Sequence, residues 1–168
     1  MSEPVSKAKI LLARLAVALL IGLIVLGLIW REISAESFQR LWRNLADRPG
    51  EAMSFRFILQ PAVSAIAAFR DGGKDAKTGR SPYFWTVLTN PAERGNRLRE
   101  GLIATSQIIL LGLVMDVTYQ VIVLKTIYPV EAVIIAIVLA FVPYMVLRGP
   151  FARIVRWWRG YAAPGKPR

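Results

Sequence analysis

The 168-residue chain has no cysteine and no histidine. That excludes disulfides, a thiol nucleophile, imidazole acid–base chemistry and the usual ligands of zinc and haem, and no cofactor is expected. Acidic side chains are scarce, with 11 Asp and Glu against 22 Lys and Arg, and charged residues make up only 20% of the chain. A phosphate-binding glycine loop is missing too. "GGKDAKTG" lacks the G-x-x-x-x-G-K-[ST] spacing. Its Gly72-Gly73 reads as a helix end. Asp71 and Asp75, flanked by Arg70, Lys74 and Lys77, read as a solvated charge face, with a weak divalent-ion or lipid-headgroup site as the lesser alternative. With none of the usual catalytic constellations in place, a non-enzymatic role is expected.

What fills the chain instead is grease and positive charge. Apolar residues make up 55% and the mean hydropathy is +0.44. Together these point to an all-α integral membrane protein whose basic faces meet anionic lipid headgroups. A nucleic-acid binder would share the charge but not the long apolar runs, so no nucleic-acid partner is expected. Three runs are long enough to span. Residues 10–30 ("ILLARLAVALLIGLIVLGLIW") carry one charge, Arg14, and at 1.5 Å per residue reach about 32 Å, against a hydrocarbon core of about 30 Å. Trp30 and Arg31 mark an interfacial edge, and the uncharged stretch is longer than a signal-peptide core, so an uncleaved span is expected. Residues 102–124 and 130–147 are the other two spans. The turn "KTIYP" between them makes them antiparallel neighbours.

The remaining segments are mixed. Residues 34–46 put Phe38, Leu41, Trp42 and Leu45 on one side and Gln39, Arg40 and Arg43 on the other, as in a helix lying in the headgroup region. Residues 53–70 are too short and too polar for a clear span. Arg56, Gln60, Ser64, Asp71, Lys74 and Asp75 form one stripe at helical period, which fits an in-plane helix or a kinked helix hiding its polar side in a bundle. Residues 71–101 read as a cytoplasmic loop from their Gly, Pro and Asn content, with Tyr83, Phe84 and Trp85 touching the interface or capping a small core. The tail at 150–161 is amphipathic, with Arg153, Arg156 and Arg159 opposite Phe151, Ile154, Trp157 and Trp158. With Arg148 it reads as a lipid-facing basic anchor.

Residues 70–100 and 148–168 are rich in Lys and Arg while the turn between the last two spans holds only Lys125, so both ends of that hairpin should face the cytoplasm. Counting basic residues favours three spans with the N-terminus outside. A fourth span at 53–70 would place it inside.

The second span buries one acid, Asp116, about 12 Å below its outer end. A lone charge there costs about 2.5 to 3.5 kcal/mol, so a partner or a proton is expected. Tyr119 and Gln120 lie one turn on. Arg14 is in reach if the N-terminus is outside, and Arg56 if it is inside. The favoured reading is an ion pair that glues helices, which makes the chain a scaffold or accessory subunit facing anionic lipid, a membrane-protein partner or a second copy of itself. The alternative is a small proton- or cation-coupled transporter or channel subunit using Asp116, with Tyr119, Gln120 and Glu131 as helpers. Against it stand the few spans and the lack of an inverted repeat.

"FRFILQPAVSAIAAFRDGGKDAKTGRSPYFW", "DVTYQVIVLKTIYPVEA" and "VPYMVLRGPFARIVR" resemble a group of small uncharacterised bacterial integral membrane proteins, over residues 55 to 156. The resemblance implies a multi-pass protein of the bacterial inner membrane. It implies no activity.

Overall fold

The computed structural model describes residues 6–30 and 54–161, together with Glu36, Gln39, Trp42 and Arg43. Every element among them is helical. The order is α1 (Lys7–Ile29), α2 (Arg56–Thr78), α3 (Tyr83–Thr89), α4 (Pro91–Tyr119, widened into a π turn over Gln120–Leu124), α5 (Pro129–Ala136) and, after a π turn at Ile137–Phe141, α6 (Val142–Tyr161). Among the described residues, three helices are long and apolar enough to cross a membrane: Lys7–Ile29, Pro91–Leu124 and Pro129–Gly160. The expected interfacial helix at 34–46 lies outside the described residues except at those four positions.

Local chemistry explains where the structure departs from the sequence reading. The stretch 71–101 is mostly helix, not loop. Asn90 and Pro91, which read as loop residues, start α4: the Asn90 side chain accepts from Ala92 N at 3.2 Å and Pro91 takes a first-turn position that needs no donor. Likewise α2 does not end at Gly72-Gly73. It runs on to Gly79, whose left-handed φ of 67° makes the stop. The third span and the basic tail, expected as separate pieces, form one continuous helix through Pro150.

The α4–α5 hairpin turns at Lys125, itself at a positive φ of 54°. Gln120 clamps the turn: its Oε1 accepts from Tyr128 N at 2.6 Å and its Nε2 donates to Tyr128 O at 3.3 Å. Against this hairpin α1 packs Ala16 and Leu20 onto Ile108, Ile109 and Leu113 of α4 and Ala132, Val133 and Ala136 of α5. Small residues at such contacts let backbones approach, which is the main source of helix association where lipid removes the hydrophobic drive.

Helix α2 is amphipathic in the inverted sense. Arg56, Gln60, Ser64, Ala68, Gly72 and Asp75 are buried, while Ile58, Val63, Ile66 and Phe69 are exposed. The polar stripe therefore faces the bundle, the second of the two readings of residues 53–70. The helix runs antiparallel to α4, with Arg56 beside Asp116 and Asp75 beside Arg97. It runs parallel to α6, with Asp71 beside Tyr144 and Asp75 beside Arg148. Its closest approach is at Gly72, where an added Cβ would stand 2.7 Å from the Arg148 carbonyl oxygen.

The neighbouring glycines of α2 thus make opposite predictions. Gly72→Ala pushes α2 off α6 and is expected to destabilise the fold by about 1 to 3 kcal/mol, as overpacking does. A Cβ at Gly73 would meet none of the described residues within 4 Å, so Gly73→Ala is expected to gain about 0.5 to 1 kcal/mol through helix propensity. Unfolding in mixed micelles by a denaturing detergent measures both.

Candidate functional site: two buried charge clusters

The first cluster lies toward the hairpin turn. Arg56 Nη2 stands 2.8 Å from Asp116 Oδ1, with the two side chains 1% and 0% exposed. Gln120 Nε2 donates to Asp116 Oδ2 at 2.6 Å. Both carboxylate oxygens are therefore answered from within the chain. The guanidinium carbon of Arg56 also lies 5.2 Å from the Tyr119 ring centroid, within cation–π range. Glu131 is buried too, in the first turn of α5, where a negative charge complements the helix dipole. Of the two partners considered for Asp116, the geometry selects Arg56. Arg14 does not join the cluster, because it sits on the exposed side of α1 while Ala13 and Ala16 face the bundle. One and two turns along α2 from Arg56, Gln60 and Ser64 are buried with side-chain atoms that find no hydrogen-bond partner among the described residues. Gln60 presses on Gly112, where an added Cβ would meet its amide at 3.3 Å.

The second cluster lies toward the basic end. Arg148 grips Asp75 with two bonds, Nε to Oδ2 at 2.7 Å and Nη2 to Oδ1 at 3.0 Å. Its Nη2 also reaches Glu100 at 3.3 Å, and its Nη1 donates to the Tyr144 hydroxyl at 2.8 Å. Tyr144 in turn donates to Asp71 Oδ2 at 2.9 Å. Arg80 pairs with Glu100 at 2.9 Å. The guanidinium carbon of Arg148 lies 4.4 Å from the Tyr83 ring centroid, and the Tyr83 hydroxyl donates to the Arg97 carbonyl at 2.6 Å. Burial pushes the Tyr83 phenol up to about 12, with Arg148 as the largest opposing pull.

This cluster corrects two expectations. Arg148 is not part of a lipid-facing tail. It is buried because α2 sets Asp75 and α4 sets Glu100 against it. Asp71 and Asp75 are not a solvated face either. Asp75 is buried and Asp71 is engaged by Tyr144 and Lys74, so neither is free to hold a cation. The sequence signal for this was present: both fall on the α2 stripe, of which Arg56, Gln60 and Ser64 point inward while Lys74 is exposed. Of the other tail arginines, Arg153 and Arg159 are exposed, and Arg156 is half-buried with its Nε donating to the Ala152 carbonyl at 3.2 Å.

Comparison with family models, with curated proteins and with solved structures finds no match to this chain.

Breaking a buried ion pair leaves the surviving charge unanswered, at roughly 3 to 5 kcal/mol. Arg56→Met and Asp116→Leu are each expected to lose that much, and the double variant to recover most of it, as judged by a double-mutant cycle in mixed micelles. Arg14→Met is expected to leave the cycle unchanged. Tyr83 gives a pH prediction. Its raised pKa means the folded state holds the phenolic proton more tightly than the unfolded state, whose value is about 10. That contribution is intact below pH 10 and is lost as pH climbs toward 12. A tyrosinate absorbance titration should show a late step that Tyr83→Phe removes.

Proposed function

We propose that this chain is a non-enzymatic integral membrane protein, a scaffold or accessory subunit of the bacterial inner membrane, that presents a basic cytoplasmic face to anionic lipid. One observation carries the reading. The buried acids Asp75 and Asp116 are answered by arginines of the same chain, whereas Arg70, Lys77, Arg94, Arg99, Arg153 and Arg159 are exposed at the same end of the bundle. None of these six is ion-paired among the described residues. Trp157 and Trp158, 64% and 60% exposed, stand between Arg156 and Arg159 as interfacial anchors would. The resemblance to small bacterial membrane proteins supports the location, and the positive-inside asymmetry supports the orientation. The saturated carboxylate of Asp116 weighs against the transport alternative, since a proton or cation would have to displace Arg56 or Gln120.

Each basic residue at an anionic surface is worth about 1 kcal/mol. Replacing Arg153, Arg156 and Arg159 together by Gln is therefore expected to lower the preference for anionic over zwitterionic lipid by roughly 100-fold at most. Competitive quenching of protein tryptophan by brominated lipids of each kind measures this. An unchanged preference, or Asp116→Asn abolishing a proton or cation flux into vesicles, would replace this reading with the transport one.

A further inference from the structure

The inward face of α2 is polar and its outward face is not. Every exposed or half-buried residue from Phe55 to Phe69 is apolar, with Ile58 78% and Ile66 61% exposed. At 1.5 Å per residue this belt is about 21 Å long. It stops at Arg70, which is exposed, as are Lys74 and Lys77 beyond it. An apolar surface of that extent is a liability in water. Average hydropathy hides it, because Arg56, Gln60, Ser64 and Asp75 count in the mean although they point into the bundle.

Register gives the belt a depth. Arg56 pairs with Asp116, and nineteen residues further along α2 Asp75 meets Arg97, nineteen residues back along α4. The two helices therefore stay level over that stretch, which sets Arg70 opposite Leu102, where the apolar run of α4 begins. Two antiparallel helices thus pass from charge to grease at one plane. From that plane the belt reaches about 21 Å into a hydrocarbon core of about 30 Å, so Phe55 stands about 9 Å from the far edge.

We propose that α2 is a fourth membrane helix, its outward face covered by lipid acyl chains, and that α1 therefore begins on the same side of the membrane as the basic end of the bundle. Phe55 lies nearer the far face, so the chain enters α2 from there. Helix α1 must then end on that face at Trp30 and start opposite it. That the basic end is the cytoplasmic one rests on the function proposed above. Lys7 and Lys9 join the exposed cations at that end. Arg14, exposed four residues into the apolar run, extends its guanidinium toward the same headgroups. Arg56, a cation that a fourth span would leave outside, no longer counts as a loop charge, because it is paired in the bundle. Charge counting still leans to three spans, but it reports a bias in insertion, whereas the ion pairs fix where α2 lies.

The chain has no cysteine, so single exposed thiols test this directly. Ser6→Cys, Lys77→Cys and Thr126→Cys are treated in spheroplasts with a membrane-impermeant maleimide. Thr126→Cys is expected to react in intact spheroplasts, and Ser6→Cys and Lys77→Cys only after permeabilisation. Labelling of Ser6→Cys and Lys77→Cys from opposite sides would overturn the proposal. The reverse pattern at all three positions would uphold the fourth helix and overturn the cytoplasmic placement of the basic end. A nitroxide on Ile66→Cys in lipid vesicles is expected to collide freely with dissolved oxygen and little with a water-soluble chromium complex. Free collision with chromium would show that water covers this face, and shielding from both would show that a protein does. Either result would overturn the lipid contact.

Discussion

A charge carried below the headgroup layer must meet its opposite there, and in this chain that requirement falls on one helix. Helix α2 brings Arg56 and Asp75 inward with the polar atoms of Gln60 and Ser64 between them. Hydrocarbon outside offers no hydrophobic reason for α2 to leave lipid and join the bundle, since lipid tails are as apolar as its exposed Ile58 and Ile66. What draws it in is polar. Asp116 waits on α4 for Arg56, and Arg148 waits on α6 for Asp75. Once both pins are set, α2 is held antiparallel to α4 and parallel to α6, and Gly72 permits the close approach to α6 that the second pin needs.

The pins differ in what they leave over. At the Asp116 cluster the carboxylate is spent on Arg56 and Gln120, and Gln120 is spent again on the hairpin turn through Tyr128. The cluster ties the turn to α2 and leaves no oxygen of that carboxylate open to a solute. Its retention fits a specificity role, since an ion pair at fixed depth allows one register of α2 against α4 whereas apolar contacts would allow several. Gln60 and Ser64 run counter to that economy. Each unmade buried hydrogen bond costs about 1 to 3 kcal/mol, and nothing in the described packing around them offsets it.

How much of this was legible depends on which constraints act locally. Span length and hydropathy are direct demands of a bilayer, so residues 10–30, 102–124 and 130–147 were visible as apolar runs, and the three long helices coincide with them. The helical stripe from Arg56 to Asp75 was visible too, as periodicity. Which way it faced was not, because burial depends on charges elsewhere in the chain. Arg148 shows the same limit from the other side. Among the arginines of the tail it looks like one more basic residue, and only its position opposite Asp75, 73 residues away, makes it a core residue. The α3–α4 region was missed for a chemical reason. Asn90-Pro91 serves equally as a loop signal and as a helix start, and only the residues after Pro91 decide between them.

Depth then orders the two clusters by use. Toward the hairpin turn a buried acid is closed off by groups that already have their partners. Toward the basic end the same residue types, arginine against carboxylate, sit beyond the apolar stretch that starts at Leu102, and there the pairing is mixed: 2.7 Å for Arg148 with Asp75 gives way to 3.5 Å for Arg97 with the same carboxylate. One arginine takes the acid bidentately, and the second, Arg97, shares Asp75, Glu100 and Glu93 at 3.5 to 3.9 Å while its Nη2 donates to the Ser81 carbonyl at 3.3 Å. What stays open at that end is the exposed set Arg70, Lys77, Arg94, Arg99, Arg153 and Arg159 rather than the buried pairs. The chain's chemistry with the outside is therefore expected at the basic end, and Asp116, the most conspicuous residue in the sequence, belongs to the framework that holds that end in place.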